Sequence, residues 1–428
     1  MVASPWRAAA AIALVAMSAA CEGDLSRVGA QTPAIAPAPA STPAQQPVTA
    51  PAEPGDPYAT AQALVALGPR VAGTPATAQA SSYLVEAYRR AGYVTEVQTF
   101  TYSKFQDLGS SLNIGGTTIE ARALNGSTSG RITAPLVAVP NLGRPADFAA
   151  VDVRGAVAIV RRGEIRFSEK VQNAAAAGAV SLIIINNEPG QLLGAVGGES
   201  RIPALTLSGE RGGPLLEQAR RQRLSVDLNV NTRQGTVTGR NVIAHLEGVD
   251  RPSVVLGGHY DSVQGSPGAN DNASGTAVVL EIARQLKDTP LARQAWFVAF
   301  DGEEDGLHGS KAFVKTAGPQ FLTGLKGMLN FDMVGVNDGL RVGGNSELTA
   351  LAKAIDPKIS TFDANGGSDH ASFAAADVPV IFFYRGQDPN YHSPNDRVVD
   401  SRLLNETARI GLGVVKQLLA PDSVRSQI

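Results

Sequence analysis

One cysteine, Cys21, occurs in 428 residues, so no internal disulfide can form, and an exported chain of this kind draws no stability from disulfides. Charge is also scarce. Charged residues make up 18%, the formal net charge is -2, and no basic stripe is visible, which excludes nucleic acid as a partner. The apolar run at residues 8–20, after Arg7, is too short to span a bilayer comfortably but suits the core of a signal peptide. Bulky apolar residues are few over 31–57, where Pro, Ala, Thr and Gln dominate, so that stretch cannot bury a core and reads as an extended tether. The length exceeds what one compact domain usually takes and predicts two domains plus extras.

The apolar run ends Met17-Ser18-Ala19-Ala20-Cys21. Small residues before the cysteine resemble a bacterial lipobox, which implies a signal peptide over 1–20 and membrane attachment through lipidated Cys21. Simple cleavage after small residues and a retained anchor helix are the competing readings. The tether, taken as 21–57, would hold a folded domain clear of a membrane surface. The expected location is the bacterial cell envelope as a lipoprotein, or a secreted or periplasmic form.

Helical periodicity is expected over 59–67, stopped by Gly68-Pro69-Arg70, and again over 77–90, with a strand over 94–102. From 108 to 235 the texture changes to short Val/Ile/Ala strands at 136–139, 156–160, 181–185 and 204–207, with a helix at 168–177 and no clustered His, Asp or Glu. After Arg240, strands at 242–246, 253–258, 295–301, 329–334 and 378–383 alternate with helices at 273–286, 310–316 and 401–419. This alternation predicts an α/β fold, a mostly parallel mixed sheet sandwiched by helices. Ligands of such sheets gather outside the carboxyl ends of the strands.

Five motifs carry chemistry at those ends. Gly257-Gly258-His259-Tyr260-Asp261 presents His259 after a strand, with Asp261 placed to orient its imidazole. Asn270-Asp271-Asn272 opens a helix; Asp271 reads either as a helix cap or as a carboxylate bridging two metals. In Asp301-Gly302-Glu303-Glu304-Asp305, acids crowd one strand end, which is costly unless cations neutralise them. Glu304 is the candidate ligand there and Glu303 the general base; a solvated acidic turn is the plain alternative. Asp332 lies in an otherwise apolar strand, where an unpaired carboxylate is heavily penalised and a metal ion removes the penalty. His392, in Asn390-Tyr391-His392-Ser393-Pro394, completes the set, with Tyr391 beside it as a donor to a developing oxyanion. Two histidines and three carboxylates suit hydrolysis on a two-metal centre. His245 and His308 read as structural or surface residues.

In this order the motifs resemble the zinc peptidases of family M28, and among them secreted aminopeptidases carrying a protease-associated insertion. The stretch Arg161-Arg162-Gly163, Phe167-Ser168-Glu169-Lys170-Val171, Ala174 to Gly178 and Ile183-Ile184-Ile185-Asn186-Asn187 is similar to that non-catalytic domain; a plain α/β insertion is the other reading. The resemblance covers about residue 58 to the C-terminus. It implies the zinc exopeptidase fold with its N-terminal part at 58–107, an insertion at 108–235 and the catalytic remainder at 236–428. It further implies two Zn2+ per chain: His259 and Asp332 on one, Glu304 and His392 on the other, Asp271 between. Glu303 would act as general acid/base, and a non-proline cis peptide would follow Asp271. Gly367-Ser368-Asp369-His370 matches a family motif near the site, which places Asp369 and His370 behind the ligands. The expected function is removal of N-terminal residues from peptide substrates by metal-activated water. A carboxypeptidase of the same family, a single-zinc glutaminyl cyclase and a non-catalytic receptor-like descendant are the alternatives. The complete ligand set and Glu303 speak against the last two.

Overall fold

The computed structural model describes residues 56–421 apart from 189, 191 and 193. The expected signal peptide, Cys21 and nearly all of the expected tether lie outside the described residues. The tether's expected end at 57 needs correction, because the helix Pro57–Val65 already begins there. Asp56 caps it by accepting the Tyr58 N–H at 2.9 Å, and Pro57 supplies the preset φ that favours a first helical position. Among the described residues no helix is long and apolar enough to cross a membrane.

The described residues divide into two compact units, one of residues before Tyr102 and after Val237, the other Tyr102–Val237. An eight-stranded mixed sheet, to which the first unit contributes all but residues 102–107 and 232–237, has the order Val94–Asp107, Thr232–His245, Ala295–Phe300, Val254–His259, Gly327–Phe331, Val380–Tyr384, Arg341–Gly344, Ser360–Thr361. The four central strands, from Ala295–Phe300 to Val380–Tyr384, are mutually parallel, with His259 opposite Phe300 and Phe331 opposite Phe383. Their carboxyl ends therefore open on one edge.

Successive residues of these strands enter opposite cores, which explains why they read as unbroken apolar runs. Leu256, Phe297, Leu329 and Ile381 pack with the helices Pro57–Val65, Pro75–Arg90, Ser274–Leu286, Ser346–Ile355 and Ser401–Leu419. Val255, Trp296, Met328 and Val380 pack with His308–Leu322 and His370–Ala374 through Phe313, Phe321 and Phe373. Full burial of each such side chain contributes about 1.5–3 kcal/mol. His245 belongs to this second face, stacked on Trp296 at 4.6 Å, in keeping with a structural role.

The second unit holds its own eight-stranded sheet, in which Gly130–Ala138, Val157–Arg161, Ser181–Ile185 and Ala204–Leu207 run parallel and Leu224–Val230 pairs antiparallel. No histidine occurs within it. Its strand Leu224–Val230 and helix Gly209–Arg221 were not foreseen; an Arg-rich amphipathic stretch interrupted by Pro214 hid the helix.

Helix Ser274–Leu286 reaches the sheet edge only because two glycines admit it. A Cβ on Gly275 would overlap the carbonyl of Phe331, and one on Gly258 would stand 2.6 Å from the same oxygen. Gly258→Ala should therefore destabilise the protein by about 1–3 kcal/mol through overpacking. Gly213→Ala, whose Cβ would meet nothing within 4 Å, serves as control. Urea unfolding midpoints compare the two; an unchanged midpoint for Gly258→Ala would contradict the close approach.

Candidate metal centre

Of the five candidate ligands, all but Asp271 lie at or beyond the carboxyl end of a parallel strand. His259 is the last residue of Val254–His259, and Glu303 and Glu304 follow Ala295–Phe300 in a turn. Asp332 follows Gly327–Phe331 directly, and His392 lies in the loop beyond Val380–Tyr384. The expectation of a strand running through Asp332 is corrected: pairing stops at Phe331, and Met333 turns the chain with φ of 52°. Asp271 sits in the turn Ala269–Ala273 with extended backbone, and the Asp271–Asn272 peptide is cis. Asp271 is thus no helix cap.

The five side chains meet. His259 Nε2 lies 3.3 Å from Asp271 Oδ1 and 3.4 Å from Asp332 Oδ1. His392 Nε2 lies 3.1 Å from Asp271 Oδ2 and 3.2 Å from Glu304 Oε2. One carboxylate therefore turns one oxygen to each imidazole. Ligand atoms of His259, Asp271 and Glu304 fall within 4.8 Å of one another, as do those of His259, Glu303 and Asp332. The two groupings overlap at His259, so the pocket is one continuous donor array. A tetrahedral ion with arms of about 2.0–2.1 Å has ligand–ligand edges of about 3.3 Å. The His–carboxylate spacings lie around that value. His259 Nε2, Glu304 Oε1 and Asp332 Oδ1 are buried and find no hydrogen-bond partner among the described residues. Donor set, spacing and orphaned atoms all fit metal ions.

The surroundings hold these groups in place. Asp261 does more than was expected of it. Its carboxylate accepts the backbone N–H groups of Glu303 (3.2 Å) and Glu304 (3.3 Å), and its Oδ1 stands 3.5 Å from His259 Nδ1. The His259 Nδ1 also meets the Asp261 carbonyl at 3.2 Å. Asp369 is fully buried near Glu303, and His370 stacks on Phe382 at 4.5 Å with Nε2 against the Ala364 carbonyl. Tyr391 stacks on His392 with ring centroids 3.7 Å apart. A cavity of about 260 Å3 is lined by the acids Asp271, Glu303, Glu304 and Asp332 together with Met333, Phe382, Tyr384 and Tyr391. His308 does not line it; it begins the helix His308–Leu322.

Arg70 was read only as part of a helix stop. It is fully buried and donates to the carbonyls of Leu64, Tyr260, Pro267 and Gly268, fixing the loop that leads from His259 to Asp271. Burial lowers its pKa to about 10, against the nearby charges of Asp261, Asp396, Asp271 and Glu304. No local signal marks such a residue, because its main partners are backbone oxygens 190 or more positions away.

The pocket carries more negative charge than its cations balance. Burial, helped by neighbouring carboxylates, pushes Glu303 up to about 10, Glu304 to about 7 and Asp369 to about 7. Burial opposes charge on His392, but hydrogen bonds to Asp271 and Glu304 outweigh it and raise the imidazole to about 10. Asp271 goes the other way: burial is overcome by His259 and His392, which hold it below the ordinary carboxylate range.

Residues 241–415 match peptidase family M28, and residues 132–215 match the PA domain. The chain is 33% identical over 361 residues to the aminopeptidase YwaD of Bacillus subtilis, covering 78% of this chain and 77% of that protein. It is 32% identical over 402 residues to the probable lipoprotein aminopeptidase LpqL of Mycobacterium tuberculosis, covering 81% and 78%. Among solved structures, an aminopeptidase from Aneurinibacillus sp. strain AM-1 superimposes with a TM-score of 0.72 at 32% identity, over 85% of this chain and 93% of that one. The zinc aminopeptidase BSAP of Bacillus subtilis gives 0.66 at 30% identity, over 84% and 94%.

The charge balance makes ion uptake and proton loss one event. In the metal-free pocket His259 and His392 are both shifted toward the protonated imidazolium by the surrounding carboxylates, and Glu303 and Glu304 toward the protonated acid by burial. Ligation needs a free imidazole lone pair and ionised carboxylates, so a divalent ion must displace those protons, and affinity must rise with pH. Adding Zn2+ to metal-free protein at pH 7 should release about two to three protons per chain, from His259, His392 and in part Glu304, read in a pH-stat. Binding without proton release would contradict this charge assignment.

Proposed function

This chain belongs to peptidase family M28, and on that premise we propose that it is a di-zinc aminopeptidase of the bacterial envelope. The observation that carries the reading is the division of the Asp271 carboxylate, Oδ1 toward His259 and Oδ2 toward His392. We assign His259 and Asp332 to one Zn2+, Glu304 and His392 to the other, and Asp271 to both. We take residues 58–107 and 236–428 as the catalytic part and 108–235 as a non-catalytic insertion. The relative named a lipoprotein supports export and attachment through Cys21.

Zinc bound there would bring the pKa of the attacking water to about 7 and polarise the scissile carbonyl. Glu303 lines the same cavity, accepts the water proton and delivers it to the departing amine. Its backbone N–H is held by Asp261, so the carboxylate enters the cleft from a fixed turn. Tyr391 lines the cavity as well and donates to the oxyanion that forms at the carbonyl. With the ligand carboxylates neutralised by zinc, the acids Glu303, Asp261 and Asp369 that remain beside the site favour a free α-ammonium group over a C-terminal carboxylate, which supports amino-terminal rather than carboxy-terminal preference. Met333, Phe382 and Tyr384 offer the N-terminal side chain an apolar wall.

Glu303→Gln should keep the zinc content while kcat falls by about 10²–10⁴. Release from aminoacyl anilides and from N-terminally blocked peptides, with and without chelator, reads the same point from the substrate side. Near-normal turnover of Glu303→Gln removes it as the base. Cleavage of blocked but not free amino termini removes the aminopeptidase reading.

A further inference from the structure

We propose that Asn270, Asp388 and Asp396 are positioning residues that set the distance between Asp271 and His392, and thereby govern retention of the zinc assigned to Glu304 and His392. This rests on the ligand assignment above. Asp396 lies four residues beyond His392 and is buried, yet its carboxylate does not line the cavity. One oxygen accepts the backbone N–H of Asn270 at 2.8 Å, and the other accepts that of Asp271 at 3.1 Å. The Asp396 carbonyl also accepts the N–H of Ala269 at 3.1 Å. The His392 loop thus grips three consecutive amides of the segment carrying Asp271.

Asp388, on the other side of His392, makes the second attachment. Its Oδ2 accepts Asn270 Nδ2 at 2.8 Å, and its Oδ1 accepts the N–H of Asn390 at 2.7 Å. The remaining polar atom of the Asn270 side chain, Oδ1, accepts the N–H of Gly335 at 2.9 Å, three residues past Asp332. Segments carrying three proposed ligands are therefore joined through one buried asparagine.

These contacts are worth more than their number. Bonds to ionised acceptors are roughly twice as strong as neutral ones, and a carboxylate with both oxygens engaged cannot rotate. His392 needs such support, because its φ of 54° lies in the left-handed region, which a non-glycine residue adopts only where its surroundings hold it. Of the ligands of the Glu304/His392 zinc, Asp271 and His392 both sit on the segments the clamp joins. His259 and Asp332 leave their strands directly and depend on it less.

Asp396→Asn keeps the volume but offers one acceptor oxygen where two N–H groups point, so one of the two bonds is lost. Asp388→Asn does the same toward Asn270 Nδ2 and Asn390. The test dialyses zinc-loaded protein against graded chelator and counts zinc per chain. In Asp396→Asn, one zinc should leave at a chelator activity about 10–100 times lower than in the unaltered chain, while the second leaves close to its original level. Simultaneous loss of both ions, or no shift for either, overturns the inference. If Asp396→Asn does not fold, Asp388→Asn decides by the same two criteria. Failure of the unaltered chain to hold zinc would instead overturn the ligand assignment on which the inference rests.

Discussion

One carboxylate shared between two imidazoles is the constraint around which the rest of this protein is arranged. Asp271 can face His259 and His392 at 3.3 and 3.1 Å only if segments more than a hundred residues apart meet at one point. The parallel sheet supplies that point, since its four central strands end on a common edge. Acids collected there cannot remain ionised together in a buried pocket; burial drives Glu303 and Glu304 toward protonation. The same crowding that makes the pocket costly without cations makes it selective for them.

Holding the edge together falls to residues with no part in the chemistry. Gly258 and Gly275 let the helix and strand backbones approach the carbonyl of Phe331, and Asn272 Nδ2 donates to that carbonyl at 2.9 Å. Arg70 ties four carbonyls beneath the loop from His259 to Asp271. Asp261 holds the turn of Glu303 and Glu304 from behind. Backbone N–H and C=O groups that a sheet leaves unpaired at its end are satisfied by buried charges, and each such bond removes a freedom from a ligand-bearing segment.

Much of the secondary structure could be read from the chain. Helix Ser401–Leu419 was placed to the residue, and Ser181–Ile185 and Ala204–Leu207 equally so, because their apolar patterns are bounded sharply. The proposed ligands were legible because Gly-Gly-His and Asp-Gly-Glu-Glu interrupt apolar runs with residues that packing cannot explain. The strand Arg341–Gly344, next to the sheet's edge, was missed, since Val342 alone gives it an apolar signature. Arg70 and the acceptor roles of Asp388 and Asp396 were invisible for another reason. Apart from the bond between Asp388 and the Asn270 side chain they act on backbone atoms, and a backbone atom leaves no letter in the sequence.

The most direct test is a crystal of zinc-loaded protein measured at the zinc absorption edge. Two anomalous peaks about 3.5–4 Å apart are predicted, one beside His259 and Asp332, the other beside Glu304 and His392, with an Asp271 oxygen toward each. A single peak, or zinc bound away from Asp271, would contradict the account.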